Sequence, residues 1–526
     1  MTAFEANVNA LAARNPALAK ALSGLNGIDD AEGFRYRGIA QARTGSLVPR
    51  YGDGSSSHSL FNPEREATGL VDSMSGAGFA VFAGIGGGYH VREFLSRNAE
   101  NACIIAESGL PALESLFREI DLSDIIACDR VTVVADCSDP GEMSVLVRVY
   151  VPAIHGNFAL IPLRSWQERN RAAWESIAAL VRDSLGRISS DYSVQAHFGR
   201  IWFRNFCANA RLAEEYQTAM PRVDARRKAI IAAAGPSLEE SLPALRRERE
   251  SVTVFSTDTA WNTLADSGIV PDFFVSIDAQ SVSSSHAMRS FEPGMVAVID
   301  LCGNPTLARR ALECGSPVVF TAGGHPLARL ARGYSPLPAL DTSSGTVTVA
   351  ALDAARSLGF RDVALIGADF AYTRGKPYAR GTYLDHAFGS VSSRVDTAES
   401  RYASLMFRTD VVARAIDGRL TYGTETLDRY ARAAREYVPT GAWRESDFTP
   451  FPARSFFLSF RKELEDAARG DPNGQRAMMT VLPLAAWCER AVGRNPRDAR
   501  DDRTLKAVNR AIQLALDLIA GYTGQS

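Results

Sequence analysis

The sequence predicts an α/β protein: a Rossmann-like amino-terminal domain, a central doubly wound α/β domain and a helical carboxy-terminal region. Three observations carry this. Apolar runs of five or six residues at 229–234, 252–257, 273–278, 296–301, 317–321 and 363–368 alternate with mostly helix-compatible segments, the mark of a parallel sheet covered on both faces. A second, shorter alternation surrounds Gly84-Ile-Gly-Gly-Gly88. From about residue 400 the chain turns rich in Arg and Ala, with Leu505, Val508, Ile512, Leu516 and Ile519 at helical spacing.

At 526 residues the chain is too long for one core, because domains run to roughly 100–200 residues. The predicted parts are 1–164, a helical connector 165–217, 218–395 and 396–526. In the first, strand 79–84 enters the glycine turn and a helix, strand 103–106 ends in Glu107, helix 110–120 follows, and 131–135 is a further strand. This turn and Glu107 would suit adenosylmethionine or a dinucleotide. A lone glycine-rich turn is a weak signal, so a structural turn is the expectation. In the connector, Trp166, Trp174, Trp202 and Phe206 are expected to pack rather than to bind.

Composition is that of a globular protein, with 46% apolar and 22% charged residues and net charge −2. It argues against nucleic acid or an anionic membrane as partner. Seven scattered cysteines without a Cys-x-x-Cys pair predict reduced thiols rather than disulfides or a metal site. No signal-like amino terminus or membrane-length apolar run occurs, so the expected location is the cytoplasm.

The functional signal lies in two strand–helix junctions of the central domain. One is Ile231-Ala-Ala-Ala-Gly235-Pro236-Ser237-Leu-Glu239, and the other is Ser343-Ser344-Gly345-Thr346 before a helix. Such junctions aim unpaired N–H groups and the positive helix end at an anion. Two of them predict a phosphate-bearing ligand held between. At the same sheet edge fall Asp258, Asp278, Asp300, Gly323-Gly324-His325 and Asp369, with Tyr372 and Tyr378 just beyond.

Gly235-Pro-Ser-Leu238, Pro271-Asp272, 275–278, 354–360, 366–372 with Tyr378-Ala379 and Gly381-Thr382, together with Phe61-Asn-Pro63, Glu66-Ala67 and 84–89, resemble the motility accessory factor (Maf) flagellin glycosyltransferases over roughly residues 55–385. That family shares a domain type with 6-hydroxymethylpterin pyrophosphokinase-like proteins. The central domain is also similar to bacterial sialyltransferases that use CMP-activated sugars. The resemblance implies that Gly235, Pro236, Ser237, Asp258, Ser343, Ser344, Gly345 and Thr346 bind the nucleotide, and that Tyr372 and Tyr378 hold its phosphate. A histidine would activate the acceptor hydroxyl. His386, beside Asp385, is the first candidate and His325 the second, with Asp278 and Asp369 as further catalytic-site residues. Ala234 and Asp258 stand where those sialyltransferases carry Asn.

The implied reaction moves a nonulosonic acid, pseudaminic- or legionaminic-like, from its CMP ester to Ser or Thr of flagellin. No metal site and no cofactor are required, Mg²⁺ at the aspartates remaining an option. The alternatives are an ATP- and Mg²⁺-dependent pyrophosphokinase and a non-enzymatic flagellin-binding factor. A β-branched residue at Gly235 is expected to abolish nucleotide binding and to leave the fold intact.

Overall fold

The computed structural model describes residues 1–25, 34–74, 76–416, 419–492 and 500–523. They form two compact units, Met1–His197 with Ala485–Asn509, and Phe198–Leu484 with Arg510–Ser526. The predicted connector is helical: Arg164–Arg169 is followed by the 46-residue helix Arg171–Tyr216, and the division between units falls within the latter.

The amino-terminal unit opens with an antiparallel hairpin, β1 (Tyr36–Gln41) and β2 (Leu47–Tyr51). A four-stranded parallel sheet follows, made of β3 (Ala77–Ala83), β4 (Ala102–Ala106), β5 (Val131–Val134) and β6 (Asn157–Pro162) in the order β5-β4-β3-β6. Phe79-Ala-Val-Phe-Ala83 is buried throughout, as a strand covered on both faces requires.

The second unit holds six parallel strands: β7 (Lys228–Ala232), β8 (Val252–Thr257), β9 (Phe273–Ser276), β10 (Val296–Asp300), β11 (Val318–Thr321) and β12 (Val363–Ile366). Every apolar run read as a strand in this domain is one. The order is β11-β10-β9-β8-β7-β12, all parallel. The chain steps from β7 out to β11, then returns to the far side of β7. The carboxyl ends of β7 and β12 therefore flank the reversal of strand order, where such sheets open a crevice for ligands. Phe255 and Phe273 stack at 4.4 Å across β8 and β9, and helix Val347–Ser357 covers this face with Ala350, Ala351, Ala354 and Ala355. Small side chains let that helix lie close to the sheet.

The region 396–526 departs from the all-helical expectation. β13 (Tyr372–Thr373), β14 (Val412–Ile416) and β15 (Arg419–Gly423) form a three-stranded antiparallel sheet in the order β13-β15-β14. Val412, Ile416 and Thr421 are β-branched and favour a pleated surface over a helix. The other described elements of this region are helices, and the last of them, Arg500–Thr523, buries Ile512 and Ile519. No described helix is long and apolar enough to cross a membrane, and all seven cysteines are free.

Candidate functional site at the carboxyl edge of the central sheet

Beyond β7 the chain passes through Gly235-Pro236-Ser237 into helix Leu238–Glu248, and beyond β12 it turns at Gly367, whose φ is +65°. The two turns touch. Gly235 N–H donates to the Gly367 carbonyl at 2.7 Å. A Cβ on Gly235 would stand 2.5 Å from that same oxygen, and one on Gly367 would overlap the Ala233 carbonyl. This corrects the expectation for Gly235: a β-branched residue there strikes backbone, so the fold itself is disturbed. Gly367→Ala adds a left-handed φ to such an overlap and is expected to cost about 3 kcal/mol, read as a lower urea midpoint.

Asp369 lies at this junction as a partner of the turn. Ser237 N–H donates to its Oδ2 at 3.0 Å, and the Ser237 hydroxyl donates to the other carboxylate oxygen. The donor that the sequence assigns to a phosphate is thus engaged by the chain's own anion, which suits a helix amino terminus equally well. Leu238 and Glu239 N–H donate to the carbonyls of Gly235 and Pro236. One donor is left over. Ala234, 6% exposed, has no hydrogen-bond partner for its N–H among the described residues, and a buried amide without a partner marks a place for a ligand or water.

At the second junction Gly345 adopts φ +73°, and the Thr346 hydroxyl caps helix Val347–Ser357 by accepting from Thr348 N–H at 3.4 Å. Ser343 donates through N–H and hydroxyl to Asp341 at 2.8 and 2.7 Å, and Ser344 Oγ accepts from Thr346 N–H at 3.4 Å. A Cβ on Gly345 would have the Tyr430 hydroxyl as its one neighbour, 3.9 Å away.

Tyr378 is tied to the first junction through its neighbour, since Ala379 N–H donates to the Ala234 carbonyl at 2.8 Å. Tyr378 is 38% exposed. The hydroxyl is pushed up to about 12, first by burial and then by Tyr383, Tyr372, Asp258 and Tyr430 around it. The structure therefore places Tyr372 and Asp258 around Tyr378, whose neighbour Ala379 bonds to Ala234. Tyr430 and Tyr383 join them, and neither is singled out by the sequence.

Asp258, at the end of β8, is fully buried. Its Oδ1 accepts from Thr259 N–H and hydroxyl at 2.7 and 3.0 Å, and its Oδ2 from the Ser276 hydroxyl at 2.7 Å. His286 Nδ1 lies 3.5 Å from Oδ1. Burial alone would raise the Asp258 carboxyl, but the imidazole and the two hydroxyls outweigh it and hold the group below its usual range. Burial likewise opposes charge on His286, yet the Asp258 hydrogen bond and charge, helped by Asp278, raise it. The His286 ring packs on Tyr383 with centroids 4.7 Å apart. Asp278, half-buried, is raised chiefly by burial, while Gln280 N–H donates to its Oδ1 at 2.9 Å.

The two histidines singled out by the sequence have other side-chain partners, although His386 lies three residues after Tyr383 on helix Tyr383–Ser390. His386 is half exposed and faces Asp266 at 3.7 Å. Its neighbour Asp385 instead accepts from Gly381 N–H at 2.9 Å and from the Tyr402 hydroxyl at 2.6 Å. His325 is half-buried beside Trp202, caps its own helix by accepting from Leu327 N–H at 3.2 Å, and is pushed down to about 3 by burial of its ring. The histidine whose ring packs on one of these tyrosines, Tyr383, is His286. Its sequence signal is only a place in the first turns beyond β9, at the edge that also carries Asp258.

In the amino-terminal unit the Gly84–Gly88 turn is filled by its own chain. Glu107 Oε1 accepts from Ile85 N–H at 2.9 Å and the Tyr36 hydroxyl at 2.8 Å, and its Oε2 from Trp166 Nε1 at 3.0 Å. His58 Nε2 accepts from Gly87 N–H at 2.9 Å. The acid and the amide that a nucleotide would need are both engaged. Among the described residues no three His, Cys, Asp or Glu side chains cluster as a metal ion would require.

Residues 204–375 match the family model described as 6-hydroxymethylpterin diphosphokinase MptE-like. An uncharacterized protein of Treponema pallidum (strain Nichols) is 35% identical over 240 residues, 45% of this chain and 80% of the relative. A second is 36% identical over 165 residues, 31% of this chain and 79% of the relative. The structure of the MAf glycosyltransferase from Magnetospirillum magneticum AMB-1 is similar over 98% of this chain and 90% of that one, with TM-score 0.55 and 13% identity. The chain belongs to one family with the treponemal proteins and carries an MptE-like domain within a Maf fold. The MptE-like match takes in the Gly-Pro-Ser turn, Asp258, Asp278, His286, the 343–346 junction and Tyr372. Tyr378, Tyr383 and Tyr430 lie beyond it and complete the cluster in this Maf-fold protein.

Proposed function

We propose that the chain is a glycosyltransferase that moves a nonulosonic acid from its CMP ester to a Ser or Thr hydroxyl of flagellin. The observation that carries this reading is the group of tyrosines and Asp258 around Tyr378, tied to the reversal of strand order by the bond from Ala379 N–H to the Ala234 carbonyl. The likeness in fold to a Maf glycosyltransferase supports it. In the reaction the bond from the anomeric carbon to the phosphate oxygen breaks, and its electron pair leaves with CMP. The acceptor oxygen bonds to the anomeric carbon and loses its proton. Neutral donors aimed at the departing phosphate stabilise the charge that develops there without a metal ion. Tyr378, kept protonated by its surroundings, supplies one such donor, and the Ala234 amide another.

The pyrophosphokinase reading draws on the MptE-like match. It would bind Mg²⁺ at Asp258, Asp278 and Asp369; both oxygens of Asp258 and of Asp369 are already engaged within the chain, while Asp278 accepts from Gln280 N–H at one oxygen. The test is incubation of the purified protein with a CMP-nonulosonic acid and flagellin, followed by intact mass. A gain of whole sugar masses with release of CMP is the expected result. No gain, together with Mg²⁺-dependent turnover of ATP, overturns the proposal in favour of the kinase.

A further inference from the structure

His286 is the one histidine of the central domain whose ring is both oriented by a buried carboxylate and open on its other nitrogen. Nδ1 faces Asp258 Oδ1 at 3.5 Å and Thr259 Oγ1 at 3.4 Å, and Nε2 has no hydrogen-bond partner among the described residues. Asp258 cannot rotate away, since Ser276 and Thr259 hold its two oxygens. A carboxylate so fixed sets the tautomer, with the proton on Nδ1 and the lone pair on Nε2. Tyr383 packs on the ring and its charge acts on Tyr378, so the His286 ring borders the tyrosine cluster that supplies the phosphate donor.

We infer that His286 is the base that accepts the proton of the acceptor hydroxyl, and that Asp258 is its positioning residue. The inference rests on the transferase reading above. As the acceptor oxygen attacks the anomeric carbon, its proton passes to Nε2, the electron pair of the broken bond leaves with the nucleotide phosphate, and the imidazolium later releases the proton to water. The charged and titratable groups facing the ring are Asp258, Asp278 and Tyr383. Of those on neighbouring elements, Arg310 donates to the Ser284 carbonyl at 3.0 Å and Asp266 is engaged by Arg289. The balance around the ring is therefore negative, which favours its protonated form. A protonated ring cannot accept a proton, so the rate rises with pH as the ring is freed.

The experiment measures kcat against pH for the wild type, His286→Gln and Asp258→Asn, with CMP affinity and thermal midpoint as checks on folding. The wild-type profile is expected to have an acid limb above the ordinary histidine value of 6.5. His286→Gln should lose roughly a hundredfold in kcat, the scale of one general base, and should lose the limb while binding CMP as before. Asp258→Asn should move the limb about one unit to lower pH, because a neutral partner no longer stabilises the charged ring, and should lower the plateau. An active wild type whose His286→Gln variant keeps both rate and limb overturns the assignment. So does an Asp258→Asn variant whose limb does not move. A wild type that neither transfers nor hydrolyses the donor removes the transferase reading, and the inference with it. If His286→Gln fails to fold, the limb of Asp258→Asn decides.

Discussion

Tyr378→Phe is expected to lower the transfer rate several hundredfold, the loss found when one donor to a developing anion is removed. The variant keeps the ring and its packing, so its thermal midpoint should stay within about 1 °C of the wild type, given that a surface-flank change of this kind costs about 0.5 kcal/mol or less. CMP affinity should fall less than kcat does, because the donor matters most when charge builds on the leaving phosphate. The measurement is single-turnover kinetics beside calorimetric CMP binding. Equal losses in binding and rate would mean that Tyr378 holds the ground state only. No loss in either would remove it from the site.

The second large effect belongs to Glu107. Replacement by Ala strands three donors in the core, the Tyr36 hydroxyl, Ile85 N–H and Trp166 Nε1, and each orphan costs on the order of 1–3 kcal/mol. A loss of about 4 kcal/mol is expected in the amino-terminal unit, visible as faster hydrogen exchange at Ile85. The pH dependence has a definite sign. Burial raises the Glu107 carboxyl above its ordinary 4.5 despite the three donors, so the folded chain binds this proton more tightly than the unfolded one. Its contribution to stability is present below 4.5 and is lost as pH rises through the raised value. Glu107→Gln should lack that slope, as unfolding midpoints across pH would reveal.

Much of the architecture was legible because buried parallel strands read as short apolar runs. Val252 to Thr257 and Val296 to Asp300 sit where their β-branched composition places them. The paired strands Val412–Ile416 and Arg419–Gly423 were less legible. Their Arg and Ala content resembles the helices on either side, and the alternation from Val412 to Ile416 is short. The Asp-Gly pair at 417–418, a hairpin-turn signal in sequence, is what could have given them away.

The candidate site divides in the same way. Asp258, Asp278 and Asp369 could be placed by the rule that ligands meet the carboxyl ends of parallel strands. What each carboxylate touches could not, because the Asp369–Ser237 and Asp258–His286 contacts depend on how neighbouring loops pack. His386 illustrates the converse. Asp385 precedes it by one residue, but successive side chains on a helix diverge by about 100°, so adjacency in the chain gave no contact in space. The amide of Ala234 is visible only once every other donor of its turn has been assigned a partner.

Calorimetric titration with CMP and with ATP, each with and without Mg²⁺, most directly tests the claim that the tyrosine-lined edge beside Ala234 is a metal-independent CMP-sugar site. The expected result is CMP binding that Mg²⁺ leaves unchanged and that Tyr378→Phe weakens. Binding of ATP in preference to CMP, and only with Mg²⁺, would contradict it.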